Sequence, residues 1–345
     1  QRIVAEELNK TIQHFTAKSG TAVLLDVDTS EVLSMVSIMG LPHKNQGCDT
    51  ATRSEDYAVS WTYEVGSLFK VFTAASVLEA KVTTPDELID VSEPVRIGRF
   101  TIRDYYPHIG LMNLGSILSE SSNVGISKLA LRLEPREQKA FLSTLGLLSI
   151  PTIQLPEVAS PEYPSYWGKI QLAASSYGYG VAASPLQITN AFAAVVNGGT
   201  YHPASLLKAN EAFVPRSGTR VLSKQNSQAI NSMLEEIVSS GTSTNAAVQM
   251  VSVGGKTGTA DKPSAEHTDA KVASFIGAFP MERPKYALMI LVDEPKPQEE
   301  TYGYATGGWV AAPTFSRIVE RIACDLLLNN CGSEATSNAS STNDE

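Results

Sequence analysis

GSLFKVFTAASVL, residues 66–78, is the stretch around which the rest of the chain can be arranged. Its apolar side chains recur at the spacing of one buried helical stripe: Leu68, Val71, Phe72, Ala75 and Leu78. Ser67 and Lys70 flank that stripe one helical turn apart, so we expect their side chains to be neighbours. Gly66 leaves room at the helix start. The pattern predicts a hydroxyl beside an amine at a helix N-terminus, whose unpaired N–H groups favour an oxyanion.

Two further motifs follow this helix in a fixed order. They are Ser121-Ser122-Asn123 and Lys256-Thr257-Gly258-Thr259, which complete the set Ser-x-x-Lys, Ser-x-Asn and Lys-Thr-Gly. That ordered set indicates acyl transfer through a serine ester. The first two patterns also occur elsewhere, at residues 205–208, 243–245 and 341–343, whereas Lys-Thr-Gly occurs once. The hypothesis of acyl transfer therefore rests on the order of the three motifs and on the predicted local structure around each.

Lys70 can act as a base only when it is neutral. Its pKa would have to fall by about 3 units, roughly 4 kcal/mol of differential stabilisation. Burial supplies part of this, and a second ammonium about 4 Å away, from Lys256, would contribute around 4 kcal/mol at an effective dielectric of 20. The alternative is that Ser67 only caps a helix and Lys70 is a solvated residue of its first turn.

Residues 251–260 are typical of an edge strand because β-branched residues alternate with interior glycines. We expect Gly258 to let a peptide lie alongside as an added strand, and Thr257 and Thr259 to offer hydroxyls to its carboxylate. Lys256 would point towards Ser67. A glycine-rich hairpin without chemistry is the alternative.

Ser121 and Asn123 lie in a polar turn between two helical patterns. Turn and cap chemistry would account for them in isolation. Together with the other motifs, they predict a loop facing Ser67. There the Ser121 hydroxyl would relay a proton between Lys70 and a leaving amine, and the Asn123 amide would hold a substrate carbonyl.

At these residues the chain resembles the transpeptidase domain of class B penicillin-binding proteins, and residues 121–130 resemble the division-type members. The resemblance extends from about Thr21 to Leu327, with Val65 where the family usually has proline. The sequence also resembles the family at residues 63–67, 176–180, 184–187 and 307–313.

The resemblance implies roles for the motif residues. Ser67 would be the acylated nucleophile, Lys70 its base, and Ser121 and Asn123 the second catalytic element. The strand Lys256, Thr257, Gly258 and Thr259 would bind the carboxylate. Backbone N–H groups of Ser67 and Thr259 would form the oxyanion hole.

The resemblance also implies an activity and a setting. We expect a D,D-transpeptidase that joins donor and acceptor muropeptide stems during septum formation and is covalently inhibited by β-lactams. Its expected partners are a membrane glycosyltransferase and division proteins. Its expected location is the periplasmic face of the inner membrane, through a single-pass anchor and a pedestal domain that this sequence does not contain. Two alternatives stay open. One is a hydrolase of the D,D-carboxypeptidase or β-lactamase type, with Glu157 and Glu162 as candidate bases, although neither lies in the Glu-x-x-Leu-Asn setting of class A β-lactamases. The other is a β-lactam-sensing domain.

The predicted fold is α/β of the α+β type: an antiparallel five-stranded sheet covered by helices, with an all-helical lobe inserted at roughly residues 65–240. By resemblance it is the fold of penicillin-binding proteins and serine β-lactamases. Strands are predicted at residues 21–26, 32–37, 271–279 and 286–292, and a last helix at 311–328. The transpeptidase domain would span residues 1–330, followed by a disordered tail at 331–345.

Composition excludes several other classes of protein. The 345 residues are 43% hydrophobic and carry a net charge of −9, which argues against a nucleic-acid partner. No apolar run reaches the ~20 residues that span a bilayer, and no signal peptide opens the sequence. The five histidines lack metal-ligand spacing, so no metal or cofactor is implied. Cys324 and Cys331 could be bridged or free.

Overall fold

The computed structural model describes residues 1–40, 56–208, 218–262 and 270–323. At its centre is a five-stranded antiparallel sheet with the order β2-β1-β11-β10-β9. The strands of the described residues are β1 Ser19–Asp26, β2 Val32–Met39, β3 Ile89–Asp90, β4 Val95–Ile97, β5 Phe100–Ile102, β6 Leu111–Met112, β7 Thr200–Tyr201, β8 Thr219–Arg220, β9 Gly254–Asp261, β10 Lys271–Phe279 and β11 Tyr286–Asp293.

Helices cover both faces of this sheet and build the lobe beside it. The helices of the described residues are α1 Arg2–His14, α2 Tyr57–Ser60, α3 Lys70–Glu79, α4 Leu114–Ser119, α5 Asn123–Ala130, α6 Pro135–Thr144, α7 Lys169–Ser175, α8 Pro185–Val196, α9 Lys224–Ser239 and α10, residues 311–323. Short 3₁₀ turns lie at Gly66–Phe69, Thr244–Ala246 and Glu299–Thr301.

The central strands are buried on both faces because each face has its own core. Successive side chains of a strand point to opposite faces. Phe275 of β10 accordingly packs with α1 and α10 in one apolar cluster, whereas its neighbour Ile276 packs in the other with α3, α8 and α9. This explains why β10 and β11 are apolar almost without interruption.

The predicted main strands are confirmed, and β9 is an edge strand of the sheet, as expected. The final helix is confirmed over residues 311–323. Residues 324–328, the tail and all three cysteines, Cys48, Cys324 and Cys331, lie outside the described residues. None of the described helices is long and apolar enough to cross a bilayer.

The inserted lobe differs from the prediction because it is not all-helical. Residues 65–240 include three two-stranded ladders, β3 with β6, β4 with β5 and β7 with β8. Strands of two or three residues are too short to show the alternation that predicts a strand. In addition, α8 packs on β1 and β11 of the central sheet rather than away from it. The domain boundaries themselves stay a prediction.

Candidate active site

Ser67 lies in a 3₁₀ turn that leads directly into α3. Gly66 begins this turn with a φ of +54°, a left-handed conformation that favours glycine. A Cβ atom at Gly66 would also collide with the carbonyl oxygen of Thr259 on β9. The apolar stripe of α3 is buried as predicted, which holds the turn against the sheet. The sequence therefore places the serine hydroxyl beside the edge strand.

Lys70 connects two of the three motifs. Its Nζ lies within hydrogen-bond distance of two hydroxyl oxygens, at 2.8 Å from Ser67 Oγ and 3.0 Å from Ser121 Oγ. A third bond, to the carbonyl oxygen of Ser121, is 2.6 Å long. The side chain has no solvent exposure, contrary to the alternative of a solvated first-turn lysine. Lys70 is thus placed to exchange a proton with either hydroxyl.

The protonation of this site follows from the burial of two amines. Burial lowers the pKa of Lys70 well below its ordinary value, and the charge of Lys256 lowers it further, whereas Asp104 opposes the shift. Lys256 is also fully buried, and burial lowers its pKa to about 8. Its Nζ donates to the carbonyl oxygen of Thr257 at 3.3 Å. These effects favour the neutral form of Lys70, whereas Lys256 keeps most of its charge at neutral pH.

The Ser121–Asn123 loop joins α4 to α5, and Ser122 caps α5 by accepting from the N–H of Gly125 at 2.9 Å. Ser121 itself adopts a φ of +58°, which is uncommon for a residue with a side chain. Asn123 lines the cleft, and its amide Nδ2 donates to the carbonyl of Arg103 at 3.2 Å. The loop therefore faces Ser67 in the way that the motif predicts.

Asp104 was missed by the sequence reasoning. Its carboxylate accepts from Ser122 Oγ at 2.8 Å and from the N–H of Val124 at 2.9 Å. It thereby ties the irregular segment after β5 to the start of α5. A single carboxylate in an irregular segment carries no motif, so no signal in the sequence could have found it.

Strand β9 presents its residues alternately to two sides. Thr257 and Thr259 are half-buried and line the cleft, and Thr259 Oγ1 accepts from the N–H of Gly307 at 3.1 Å. Gly258 is buried on the other side, where an added Cβ would collide with the carbonyl oxygen of Val65. The missing side chain thus makes room for the serine turn, and the expected approach of a peptide along Gly258 stays a prediction.

The motifs meet along a cleft of about 1110 Å³. It contains Ser67, Ser121 and Asn123 on the lobe side and Thr257 and Thr259 on β9. Its walls are rich in aromatic rings that the sequence reasoning did not assign to the site: Tyr105, Tyr106, Tyr177, Tyr179, Tyr304 and Trp309. Residues 176–180 and 307–313, noted for their resemblance to family segments, contribute three of these rings.

Glu64 holds the segment of Tyr177 and Tyr179 against the serine turn. Its Oε1 accepts from the N–H of Gly180 at 2.6 Å. Gly178 in the same segment packs so closely on Gly66 that a Cβ atom there would overlap the Gly66 carbonyl. The segment that carries Tyr177 and Tyr179 is therefore held directly against the turn that carries Ser67. Among the described residues, no group of three or more His, Cys, Asp or Glu is arranged to hold a metal ion.

The geometry agrees with what comparisons with known proteins find. A family model described as the penicillin binding protein transpeptidase domain matches residues 20–320. The chain is 35% identical to the probable peptidoglycan D,D-transpeptidase FtsI of Caulobacter vibrioides, over 94% of this chain and 56% of that protein. It is 30% identical to the peptidoglycan D,D-transpeptidase FtsI of Escherichia coli K12, over 92% of this chain and 53% of that protein.

A solved structure shows the same likeness in three dimensions. It is the apo TP domain of Burkholderia pseudomallei penicillin-binding protein 3, with a TM-score of 0.82, 33% identity, and coverage of 95% of this chain and 94% of that one. The chain spans about half the length of the curated relatives it matches. Because the matched region includes all three motifs and all but the first residue of the central sheet, the chain belongs to the penicillin-binding protein transpeptidase family.

Proposed function

We propose that this chain is the catalytic domain of a peptidoglycan D,D-transpeptidase that works through an acyl-enzyme on Ser67. One observation carries the proposal. The Nζ of Lys70, fully buried, lies 2.8 Å from Ser67 Oγ and 3.0 Å from Ser121 Oγ. A buried amine between two hydroxyls can take a proton from one and return it through the other.

The acylation step follows from this arrangement. Neutral Lys70 accepts the proton of Ser67 as Oγ attacks the carbonyl of the penultimate D-alanine of a donor stem. The oxyanion faces the backbone N–H groups of Ser67 and Thr259, and the terminal carboxylate lies at Thr257, Thr259 and the charged Lys256. The proton then passes from Lys70 through Ser121 to the leaving D-alanine amine, and the C–N bond breaks.

The second step distinguishes a transpeptidase from a hydrolase. In a transpeptidase the ester is attacked by the amine of an acceptor stem, whereas a β-lactamase needs a base for water. Glu157 and Glu162 are not among the cleft-lining residues of the described chain, and Glu162 accepts from Thr62 Oγ1 at 3.1 Å. This supports slow attack by water and a long-lived ester with β-lactams.

The wider setting belongs to the same proposal. Relatives named FtsI support a role in septal wall synthesis, at the periplasmic face of the inner membrane. The whole protein would also carry a membrane anchor and a pedestal domain, and its partners would be a membrane glycosyltransferase and division proteins. The cross-linked strands would be the donor and acceptor muropeptides of the wall.

Intact-mass spectrometry after exposure to benzylpenicillin tests the nucleophile. We expect a single adduct that persists for many minutes and is absent from Ser67→Ala. Ser205→Ala is the matched control, because Ser205 belongs to a second Ser-x-x-Lys pattern outside the cleft and should leave the adduct in place. Labelling that survives in Ser67→Ala would overturn the assignment.

A turnover assay tests the reaction. With a donor peptide ending in D-Ala-D-Ala and a D-amino acid as acceptor, we expect an exchanged product and released D-alanine. Rapid loss of the penicillin adduct with free acid as the only product would instead indicate a hydrolase. A stable adduct without any exchanged product would indicate a sensing domain.

A further inference from the structure

The Thr257 end of the cleft is where the second half of the proposed reaction begins. An acceptor amine attacks the ester on Ser67, and this step is chemically the reverse of expelling D-alanine. By microscopic reversibility, the incoming amine follows the path of the leaving one. Because the terminal carboxylate of the donor lies at Thr257 and Lys256 in that mechanism, the departing D-alanine and the arriving acceptor both use this end.

A short segment before α10 runs along this end of the cleft. The N–H of Gly307 donates to Thr259 Oγ1 at 3.1 Å, and a Cβ atom on Gly308 would lie 3.8 Å from Cγ2 of Thr257. The segment thus passes from Thr259 to Thr257, towards the side of the leaving group. Trp309 is the next residue, and its half-buried side chain lines the cleft.

Trp309 forms an aromatic pair with Tyr302 at the rim of the cleft. The ring centroids are 5.8 Å apart and the planes meet at 67°, which is an edge-to-face contact. Tyr302 is 80% exposed and has a φ of +53°, which is uncommon for a residue with a large side chain. Trp309 thus provides a half-buried floor, and Tyr302 holds a second ring open to solvent beside it.

The neighbouring Tyr304 is engaged by the other wall of the cleft. Its phenol is the main cause of a raised pKa at Tyr106, and the two side chains share a hydrogen bond. Because Tyr106 belongs to the lobe segment after β5, this contact connects the two sides of the cleft. Tyr304 therefore narrows the mouth of the cleft, whereas the ring of Tyr302 remains largely in solvent.

We propose that Trp309 and Tyr302 bind the amine-bearing side chain of the acceptor stem. The proposal rests on the proposed function of the cleft. An amine at the end of a methylene chain arrives as an ammonium, which is attracted to the faces of aromatic rings, tryptophan above all. The methylenes can lie against the same rings, because aromatic side chains offer a large apolar surface. The pair therefore favours side-chain amines over small amines that lack the chain.

The transfer step uses the same side chains as acylation. The ammonium first gives one proton to solvent, and the amine nitrogen then attacks the ester carbonyl carbon. A C–N bond forms, the bond from that carbon to Ser67 Oγ breaks, and an N–H proton passes through Ser121 and Lys70 to Ser67 Oγ. The products are the cross-linked peptide and the free serine hydroxyl, so no further reactant is needed.

A structural role at the start of α10 is the competing explanation, because Trp309 is half-buried. Such a role would affect formation of the ester as well as its transfer. The partition of one acyl-enzyme between an amine and water separates the two roles, since the rate of acylation cancels from that ratio. The informative measurement is therefore the ratio of transferred to hydrolysed product.

The experiment combines a donor thioester with either of two acceptors. Nα-acetyl-lysine amide carries an amine at the end of a methylene chain, and glycinamide carries an amine without one. The ratio of transfer to hydrolysis is measured at equal acceptor concentrations for the wild type, Tyr302→Leu, Trp309→Leu and Trp309→Phe. Tyr166→Leu is the matched control, because Tyr166 is 73% exposed and lies outside the cleft.

In the wild type we expect transfer to the chain-bearing amine to exceed transfer to glycinamide by about tenfold, from contacts with two rings. Tyr302→Leu should lower that preference by about two- to fivefold, the size of one exposed cation–π contact. Trp309→Leu should remove the preference, whereas Trp309→Phe should retain most of it. Benzylpenicillin labelling of Tyr302→Leu and both ratios of Tyr166→Leu should match the wild type.

A preference that persists in both Leu variants would overturn the acceptor surface, and so would a parallel loss of penicillin labelling in Tyr302→Leu. Failure of the proposed function looks different. If benzylpenicillin leaves Ser67 unlabelled and the donor forms no ester, the assigned chemistry of the cleft is wrong. If the ester forms and passes only to water, the chain is a hydrolase. If the wild-type ester passes to both amines equally well, the chemistry stands and the acceptor surface is wrong.

Discussion

At the scale of single residues, two glycines bring Ser67, the proposed nucleophile, to the edge strand. Gly66 starts the serine turn and packs on Thr259. Gly258 has no Cβ atom, so the carbonyl oxygen of Val65 can pack closely against it. A side chain at either position would separate Ser67 from β9. The short distance between the Ser67 hydroxyl and the expected oxyanion site therefore requires that neither residue has a Cβ atom.

Gly66→Ala should impair both stability and acylation. Gly98 is its matched control, because it has a similar φ of +58° with nothing within 4 Å of an added Cβ. Gly98→Ala should cost about 1–2 kcal/mol, the penalty of a left-handed alanine. Gly66→Ala should cost about 1–3 kcal/mol more from overpacking and slow acylation by about tenfold or more. Denaturant titration and penicillin labelling would check this, and equal losses in the two variants would contradict it.

The two buried lysines predict how acylation depends on pH. The lowered pKa of Lys70 extends its neutral, proton-accepting form towards lower pH, so protonation of Lys70 should slow acylation on the acidic side of the profile. Lys256 has a pKa of about 8 and loses its charge as the pH rises through that value. Binding of a carboxylate should weaken accordingly, so the acylation rate for penicillin should fall on the alkaline side with an apparent pKa near that value. Stopped-flow penicillin labelling measures the acylation rate between neutral pH and a pH of about 10. A rate that does not change over this range would exclude carboxylate binding by charged Lys256.

At the scale of elements, the conformation of the Ser121–Asn123 loop before α5 depends on a residue from another segment. Asp104 binds both Ser122 and the N–H of Val124, at the point where Ser121 holds its unusual φ. The same segment carries Tyr105 and Tyr106 into the cleft wall. One carboxylate thus couples the placement of Ser121 to the shape of the cleft.

Asp104→Ala should slow acylation by about tenfold or more, because the loss of two hydrogen bonds frees the loop. It should also lower the pKa of Lys70 further, since Asp104 now raises it. The variant should therefore retain relatively more of its rate at acidic pH than the wild type does. Penicillin labelling as a function of pH measures both effects.

Glu120→Ala provides the control for the Asp104 prediction. It removes an exposed carboxylate next to Ser121 that is not part of the Ser122 and Val124 bonds. It should retain the wild-type rate and pH profile. A similar loss in both variants would mean that net charge, rather than the positioning of the loop, explains the effect of Asp104.

At the scale of the whole molecule, the first and last described helices are joined by a buried carboxylate. Glu7 of α1 is 2% exposed and receives bonds from Lys10 at 2.7 Å, Arg317 at 3.0 Å and Arg321 at 2.8 Å. Burial alone would raise the pKa of Glu7, but these three cations outweigh it and lower the pKa to about 2. The helices that cover one face of the sheet are thereby held together.

This cluster predicts a loss of stability in acid. A carboxyl group whose pKa is lower in the folded state stabilises it above the unfolded pKa, and this contribution disappears as the pH falls through the folded value. For Glu7 it amounts to about 3 kcal/mol at neutral pH, lost between about pH 4.5 and pH 2. Glu7→Gln should lower the melting temperature at pH 7. On acidification, the melting temperature of this variant should fall less than that of the wild type. Glu87→Gln, which removes an exposed ion pair, should change little.

Several features were determined by the sequence alone. The stripe of α3 placed Ser67 and Lys70 one turn apart, and the apolar runs at residues 271–279 and 286–292 predicted two central strands that the structure contains. These are local regularities, in which spacing along the chain is enough to give position on an element. The three motifs were found in the same way, since each is a short segment with its own chemistry.

Only the tertiary structure decided the contacts between distant segments. Nothing in the local pattern brings Asp104 to Ser122, Tyr106 to Tyr304, or the bare Cα of Gly258 to the serine turn. The pKa values of Lys70 and Lys256 were decided there too, because burial of a charge depends on every element that surrounds it and not on its own segment. The physical reason is that the packing and desolvation energies of a residue depend on all the segments that surround it. A motif describes only residues that are close together along the chain.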